Sequence, residues 1–262
     1  MMTARAAAKG DLRVPGCGVL LYGPHVDPSL ERMTTTLITG ANKGLGRETA
    51  RRLLEAGHDV WITARDPERG RAAADDLGAR FVRLDVTDGA SIARAAEHVA
   101  AETGLDVLVN NAGITGARVT VPDTTADQVR EVYETNVFGL VRVFGAFSGL
   151  LARSDNPVVV NVSSGMGSLA VTSDPERIES TIVALAYPSS KTAVNMLTSQ
   201  YAKAYPQMRI NAVDPGYTAT DLNDHSGVQT VQEGTDAIVR MATIDAGGPT
   251  GTFVDRNGIV PW

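Results

Sequence analysis

Cysteine is almost missing from this 262-residue chain. Cys17 stands alone, so no intrachain disulfide can form and no oxidising compartment is implied. The four histidines (His25, His58, His98 and His225) and that cysteine show no metal-ligand spacing. Basic charge is not in excess: 24 Lys and Arg face 30 Asp and Glu, a formal charge of −6. That balance gives no electrostatic footprint for nucleic acid or an anionic membrane. No apolar run reaches the roughly 18 residues of a membrane-crossing candidate. The nearest stretch, Val137 to Ala152, is interrupted by Arg142 and Ser148 and reads as a buried helix. Internal repeats and low-complexity tracts are absent too. These absences exclude a transmembrane protein, a disulfide scaffold, a zinc module and a collagen-like fibre. What remains is ordinary globular composition, 43% hydrophobic and 21% charged, expected in the cytoplasm.

Residues 1–32 differ from the rest. They hold Pro15, Pro24, Pro28 and four glycines, without sustained periodicity. Val19-Leu20-Leu21-Tyr22 is too short for the apolar core of a signal peptide. We expect 1–32 to be a dispensable extension, disordered or not native, with Met33 as the natural start and 33–262 as one domain.

From Met33 the chain alternates strand and helix. Short apolar or β-branched runs predict strands over Thr35–Thr39, Asp59–Ala64, Arg80–Leu84, Asp106–Asn110, Pro157–Val162, Arg209–Val213 and Thr252–Asp255. Helices are expected over Arg47–Ala56, Pro67–Leu77, Ser91–Glu102 (capped by Asp88 or Ser91), Thr125–Leu151, Ser189–Tyr205 and Thr230–Thr243. Strands without polar alternation are buried on both faces, as in a parallel sheet covered by helices. The β-α repeat therefore predicts a doubly wound, Rossmann-type α/β sheet of about seven strands with helices on both faces.

Between the first strand and first helix lies Thr39-Gly40-Ala41-Asn42-Lys43-Gly44-Leu45-Gly46. Glycine there permits a tight turn, close backbone approach to a pyrophosphate and close helix packing, with the helix N-terminus facing the phosphates. The spacing is Gly-x-x-x-Gly-x-Gly rather than the commoner dinucleotide fingerprint. An NAD enzyme usually sets an acid about 20 residues beyond that loop, at the end of the second strand. Here that position is Ala64, followed by Arg65, and Lys43 lies inside the loop. Two cations without that acid favour a 2′-phosphate and hence NADP(H). Asp66 follows Arg65, and its side chain should point elsewhere.

With this loop the sequence resembles the short-chain dehydrogenase/reductase family from Thr35 to about Val254. Its other motifs fall in order: Asp85-Val86, Asn110-Asn111-Ala112-Gly113, Tyr187-Pro188-Ser189-Ser190-Lys191, and the loop from Asp214 to Thr220. The resemblance implies cofactor contacts from Gly40, Asn42, Lys43, Gly44, Leu45 and Gly46 in the loop, and from Arg65, Asp85 and Val86 after it. It implies further contacts from Asn111, Ala112 and Gly113, from Tyr187 and Lys191, and from Pro215, Gly216, Thr218 and Thr220. It also implies the catalytic set Asn136, Ser164, Tyr187 and Lys191, with Ser163 a lesser alternative to Ser164.

Tyr187 and Lys191 are four apart and share a face if helical. A phenol titrates near about 10, and a neighbouring ammonium together with the nicotinamide charge should lower it. Asn136 is the family's holder of a water that links to the lysine. The implied activity is NADPH-dependent reduction of a ketone or aldehyde, with Tyr187 as proton donor. A biosynthetic ketoreductase on a polyketide, sterol or acyl-carrier substrate is the alternative, and a non-enzymatic nucleotide sensor the third.

Ser164 and Tyr187 are 23 positions apart, more than the family norm. That insert, with Asn-Lys-Gly in the loop and Trp262 near the end, resembles the carbonyl-reductase-like branch. Specificity should lie in the insert and in Ala219 to Val228. Charges at Asp174, Glu176, Arg177 and Glu179 near the start of the Tyr187 helix, and the same resemblance, favour a monomer over a dimer or tetramer.

Overall fold

The computed structural model describes residues 32–262, so the expectations for the N-terminal extension lie outside the described residues. Seven strands form one parallel sheet in the order β3-β2-β1-β4-β5-β6-β7. They are β1 (Thr35–Ile38), β2 (Asp59–Ala64), β3 (Arg80–Arg83), β4 (Val107–Asn110), β5 (Val158–Val162), β6 (Arg209–Val213) and β7 (Phe253–Val254). The strand order reverses between β1 and β4, which pair in the register Thr36 to Val107 and Ile38 to Val109. In open α/β sheets a ligand crevice opens at such a switch point, beyond the carboxyl ends of the strands.

Strand periodicity sorts the core into two layers, because successive side chains point to opposite faces. Leu37, Trp61, Leu108, Val159 and Ile210 belong to one layer. It is closed by Ile92 of α3 (Gly89–Glu102), Phe147 of α5 (Gly139–Leu151) and Ala202 of α7 (Ala186–Ala204). Ile38, Val60, Ile62, Val109 and Val160 point the other way. They meet Leu53 of α1 (Gly44–Glu55), Ala73 of α2 (Pro67–Leu77) and Ile238 of α9 (Asp236–Ala242). Both faces of the sheet are thereby dry, as the uninterrupted apolar strands require.

Local chemistry sets the helix ends. Asp66 accepts hydrogen bonds from the backbone N–H groups of Glu68 and Arg69, and Pro67 fills the first turn of α2. Gly78, at φ 70°, closes that helix in the left-handed region. Of the two candidate caps for α3, Asp88 is the one used: its side chain accepts from Ala90 N.

Several boundaries correct the sequence expectation. The long helix expected over Thr125–Leu151 is α4 (Ala126–Tyr133) and α5, joined through a π turn at Glu134–Phe138. The helix expected over Thr230–Thr243 is α8 (Val231–Gly234) and α9, broken at Thr235, whose backbone N–H bonds back to α8. The α7 helix starts at Ala186, three residues early, so Tyr187 lies in its first turn. The insert is not bare loop: it holds α6 (Leu169–Thr172) and a 3-10 turn at Ile178–Thr181. Among the described residues no helix is long and apolar enough to cross a membrane, and no His, Cys, Asp and Glu cluster could hold a metal ion.

Candidate active site

A cleft of about 710 Å³ opens over the carboxyl ends of β1, β2, β4 and β5. The glycine loop forms one wall. Gly40 (φ 63°) and Gly44 (φ 56°) occupy the left-handed region that side chains avoid. At Gly46 a Cβ would lie 2.5 Å from Asn111 Nδ2 and 2.8 Å from Gly40 O, so only glycine lets α1 begin this close to β4. Asn111 fastens that junction: its Nδ2 donates to Thr39 O at 2.9 Å and to Gly40 O at 3.1 Å. The Thr39 hydroxyl accepts the backbone N–H groups of Asn111 and Ala112 at 2.9 and 3.0 Å. Thr39 was not among the expected site residues. Its position, a hydroxyl immediately before the first glycine, was the available signal.

Lys43 and Arg65 both line the cleft. Asp66 is occupied at the α2 N-terminus, so its carboxylate is turned away as expected. Lys43 Nζ makes an ion pair with Asp221 Oδ2 at 2.7 Å, and Asp221 also lines the cleft. That partner was not anticipated, because it lies 178 residues away in sequence. Asp85 Oδ1 accepts from Thr87 N at 2.9 Å and Thr87 Oγ1 at 2.7 Å on the same wall. Asn42, Leu45, Val86, Asn111, Ala112, Gly113, Pro215 and Thr220 reach the cleft as well. Gly216 and Thr218 are not brought to its surface. Thr218 is buried, and its hydroxyl donates to Pro215 O at 3.0 Å, so it shapes the loop from behind.

Tyr187 and Lys191 line the cleft, whereas Ser164 and Asn136 lie behind its surface, Asn136 in a small cavity shared with Lys191. The Ser164 hydroxyl lies near enough to the Tyr187 phenol to favour its ionised form. Ser164 begins the turn after β5, and its hydroxyl accepts from Met166 N at 3.2 Å. Lys191 lies one helical turn beyond Tyr187, its Nζ 5.7 Å from the ring centroid, and donates to Val162 O at 2.8 Å. Ser163 also lines the cleft, but its hydroxyl donates to Lys191 O at 3.3 Å.

Asn136 sits in the π turn, where the extra residue per turn rotates it inward. Its Oδ1 accepts Ile114 N at 2.9 Å, and its Nδ2 donates to Ile114 O at 2.9 Å and Ser190 Oγ at 3.0 Å. It therefore clamps the chain after β4 onto α7. Neither Ile114 nor Ser190 was expected in this role.

Burial pushes the Tyr187 phenol up to about 12, against a downward pull from the Ser164 hydroxyl and a smaller upward push from the Asp214 carboxylate. Tyr187 is half-buried as a residue and lines the cleft. The expected lowering by Lys191 is not found. The same burial pulls Lys191 down to about 8, and its ammonium is directed at Val162 O rather than at the phenol.

Residues 34–230 match the model of the short chain dehydrogenase family. A (+)-neomenthol dehydrogenase of Arabidopsis thaliana is 35% identical, over 85% of this chain and 96% of its own length. The structure of salutaridine reductase from Papaver somniferum matches with a TM-score of 0.74 at 27% identity, covering 84% of this chain and 99% of that one. A structure of ElxO with NADP bound matches with a TM-score of 0.73 at 26% identity, covering 85% and 96%.

Proposed function

The chain belongs to the short-chain dehydrogenase family and is an oxidoreductase acting on alcohol or carbonyl groups, and on that premise we propose that it reduces a ketone or aldehyde with NADPH. The observation that carries this reading is Tyr187, with Ser164 beside its phenol, and buried Lys191 in a cleft that also presents Lys43 and Arg65. The cleft's residues fit a phosphorylated dinucleotide. Gly40, Gly44 and Gly46 admit a backbone-hugging pyrophosphate, and the start of α1 offers unpaired N–H groups to it. Lys43 and Arg65 would hold the 2′-phosphate, with no carboxylate in the Ala64 position to repel it. NADP bound to the similar ElxO supports the same choice.

When bound, NADPH supplies the hydride. The protein supplies position and a proton. Ser164 and Tyr187 direct hydroxyl hydrogens at the substrate oxygen, and Tyr187 gives up its own as negative charge grows there. Burial favours the neutral phenol, so the proton is in place before reaction. Lys191, held at about 8, is still mostly protonated at pH 7 and would hold the nicotinamide ribose.

The test is NADPH oxidation by the purified protein with a panel of aldehydes, diketones and cyclic ketones. The expected outcome is turnover with at least one carbonyl class and a strong preference over NADH. NADPH binding with no turnover on any of them would favour a nucleotide sensor, and equal use of NADH would remove the roles given to Lys43 and Arg65.

A further inference from the structure

Trp262 does not line the cleft, yet it is tied to the segment that follows Ser164. After β7 the backbone turns at Asp255, whose N–H donates to Gly258 O at 2.9 Å. It then returns antiparallel to β7: Val260 N donates to Phe253 O at 2.8 Å, and Ile259 bridges Val254. That return brings Pro261 and Trp262 against α6. The Ser168 hydroxyl, on a fully buried residue, donates to Pro261 O at 2.6 Å and accepts Val171 N at 3.0 Å. One side chain thus caps α6 and fastens it to Pro261. Ala170 N, a first-turn donor without an intrahelical partner, donates to Trp262 O at 3.3 Å. Apolar contacts follow the same line. Val171, Phe253 and Val260 share one buried cluster, and the Trp262 ring stacks on Phe253 with centroids 5.6 Å apart and planes at 19°.

Ser164 and Ser168 flank the 3-10 turn Gly165–Gly167. That turn is pressed on several sides. At Gly165 a Cβ would lie 2.7 Å from Glu179 Oε1 and 2.9 Å from Asp214 Oδ2, and at Gly167 it would lie 2.7 Å from the Lys191 carbonyl carbon. Asn195 Nδ2 donates to Gly167 O at 3.1 Å. The sheet fixes the near end, where Ser163 N donates to Val213 O at 2.7 Å. The far end is Ser168, and Pro261 holds it.

We propose that the Pro261–Trp262 segment is a positioning element, with Trp262 as its anchor: by holding Ser168 and Ala170 it fixes the turn that sets the direction of the Ser164 hydroxyl. Its bearing on the reaction rests on the carbonyl-reductase reading. A donor aimed at growing negative charge works only within a narrow range of distance and angle. With the Trp262 ring removed, α6 and Gly165–Gly167 gain freedom, and Ser164 spends less time directed at the substrate oxygen. Pro261 and Trp262 do not line the cleft, so cofactor binding is untouched.

Two measurements test this. Hydrogen exchange of the cofactor-free Trp262→Ala protein is read without turnover. The amides of Gly167 to Val171 should exchange about tenfold faster than in the parent, while those of β4 and β5 keep the parental rate. Parental exchange at Gly167 to Val171 overturns the proposal. In turnover of a carbonyl that the parent reduces, Trp262→Ala should lower kcat about tenfold and leave the KM for NADPH within about twofold. Trp262→Phe, which keeps a ring on Phe253, should restore kcat to within about threefold of the parent. In a Ser164→Ala background, Trp262→Ala should change kcat by less than about twofold, because the group it positions is gone. A tenfold loss in both backgrounds would show a merely structural role and overturn the proposal. A parent that reduces no carbonyl removes the reductase reading, and the exchange rates still decide whether Trp262 holds the turn.

Discussion

Lys191 carries the clearest conflict between stability and function at the scale of single residues. Burial holds it at about 8, against 10.5 for the exposed side chain. Between those values the unfolded chain binds more protons than the folded one, so stability rises with pH across that window and is lowest below it. The rise amounts to about 3 kcal/mol by pH 10.5, at 1.36 kcal/mol for each tenfold change in proton affinity. Urea unfolding of the cofactor-free protein at pH 7.5 to 10.5, set against Lys191→Met, should show this slope in the parent and lack it in the variant (about 3 kcal/mol over the range). Equal slopes would mean that the ammonium is not desolvated. The Tyr-x-x-x-Lys spacing stands in the sequence itself, whereas Ser164 and the role of Asn136 are expected only from the family resemblance. Titration was not legible there, because the sequence places a cation beside a phenol without showing that both are buried and that Val162 O takes the ammonium.

At the scale of elements the glycine loop and the π turn make the contrast. The loop was legible because its function demands absent side chains, and absence is visible in a sequence. Gly46 gives the sharpest consequence: a Cβ there meets Asn111 Nδ2 at 2.5 Å, Gly40 O at 2.8 Å and Ala41 Cα at 2.9 Å. Two of these three are backbone atoms that cannot swing aside. Gly46→Ala should therefore destabilise the fold by about 1–3 kcal/mol, read as a lower urea midpoint, and weaken NADPH binding by calorimetry because the loop shifts with it. Unchanged stability and affinity would show that α1 does not need this close approach. The π turn was not legible. The apolar stripe Val129, Val132, Val137 and Leu140 fits one continuous helix, and the interruption follows from a tertiary demand: Asn136 must turn inward to satisfy both backbone groups of Ile114. The break at Thr235 did carry a signal, since Gly234 stands directly before it.

At the scale of the molecule, residues as distant as Gly40 and Asp221 share one cleft because the strand order reverses between β1 and β4. The ordered motifs made that convergence legible before any contact was known. The Lys43–Asp221 pair and the packing of the insert were not, since each depends on how loops fold back over the sheet. The central claim is that this cleft performs proton-coupled carbonyl reduction with Tyr187 as the acid. Single-turnover and steady-state rates of Tyr187→Phe, alongside its NADPH affinity, test it most directly. The substitution removes one hydroxyl and almost no packing. NADPH affinity should stay within about twofold of the parent while kcat falls by at least about a hundredfold, the scale of a positioned general acid. A Tyr187→Phe protein that keeps about a tenth of the parental rate or more would contradict the claim, because that residual rate exceeds what loss of a general acid permits.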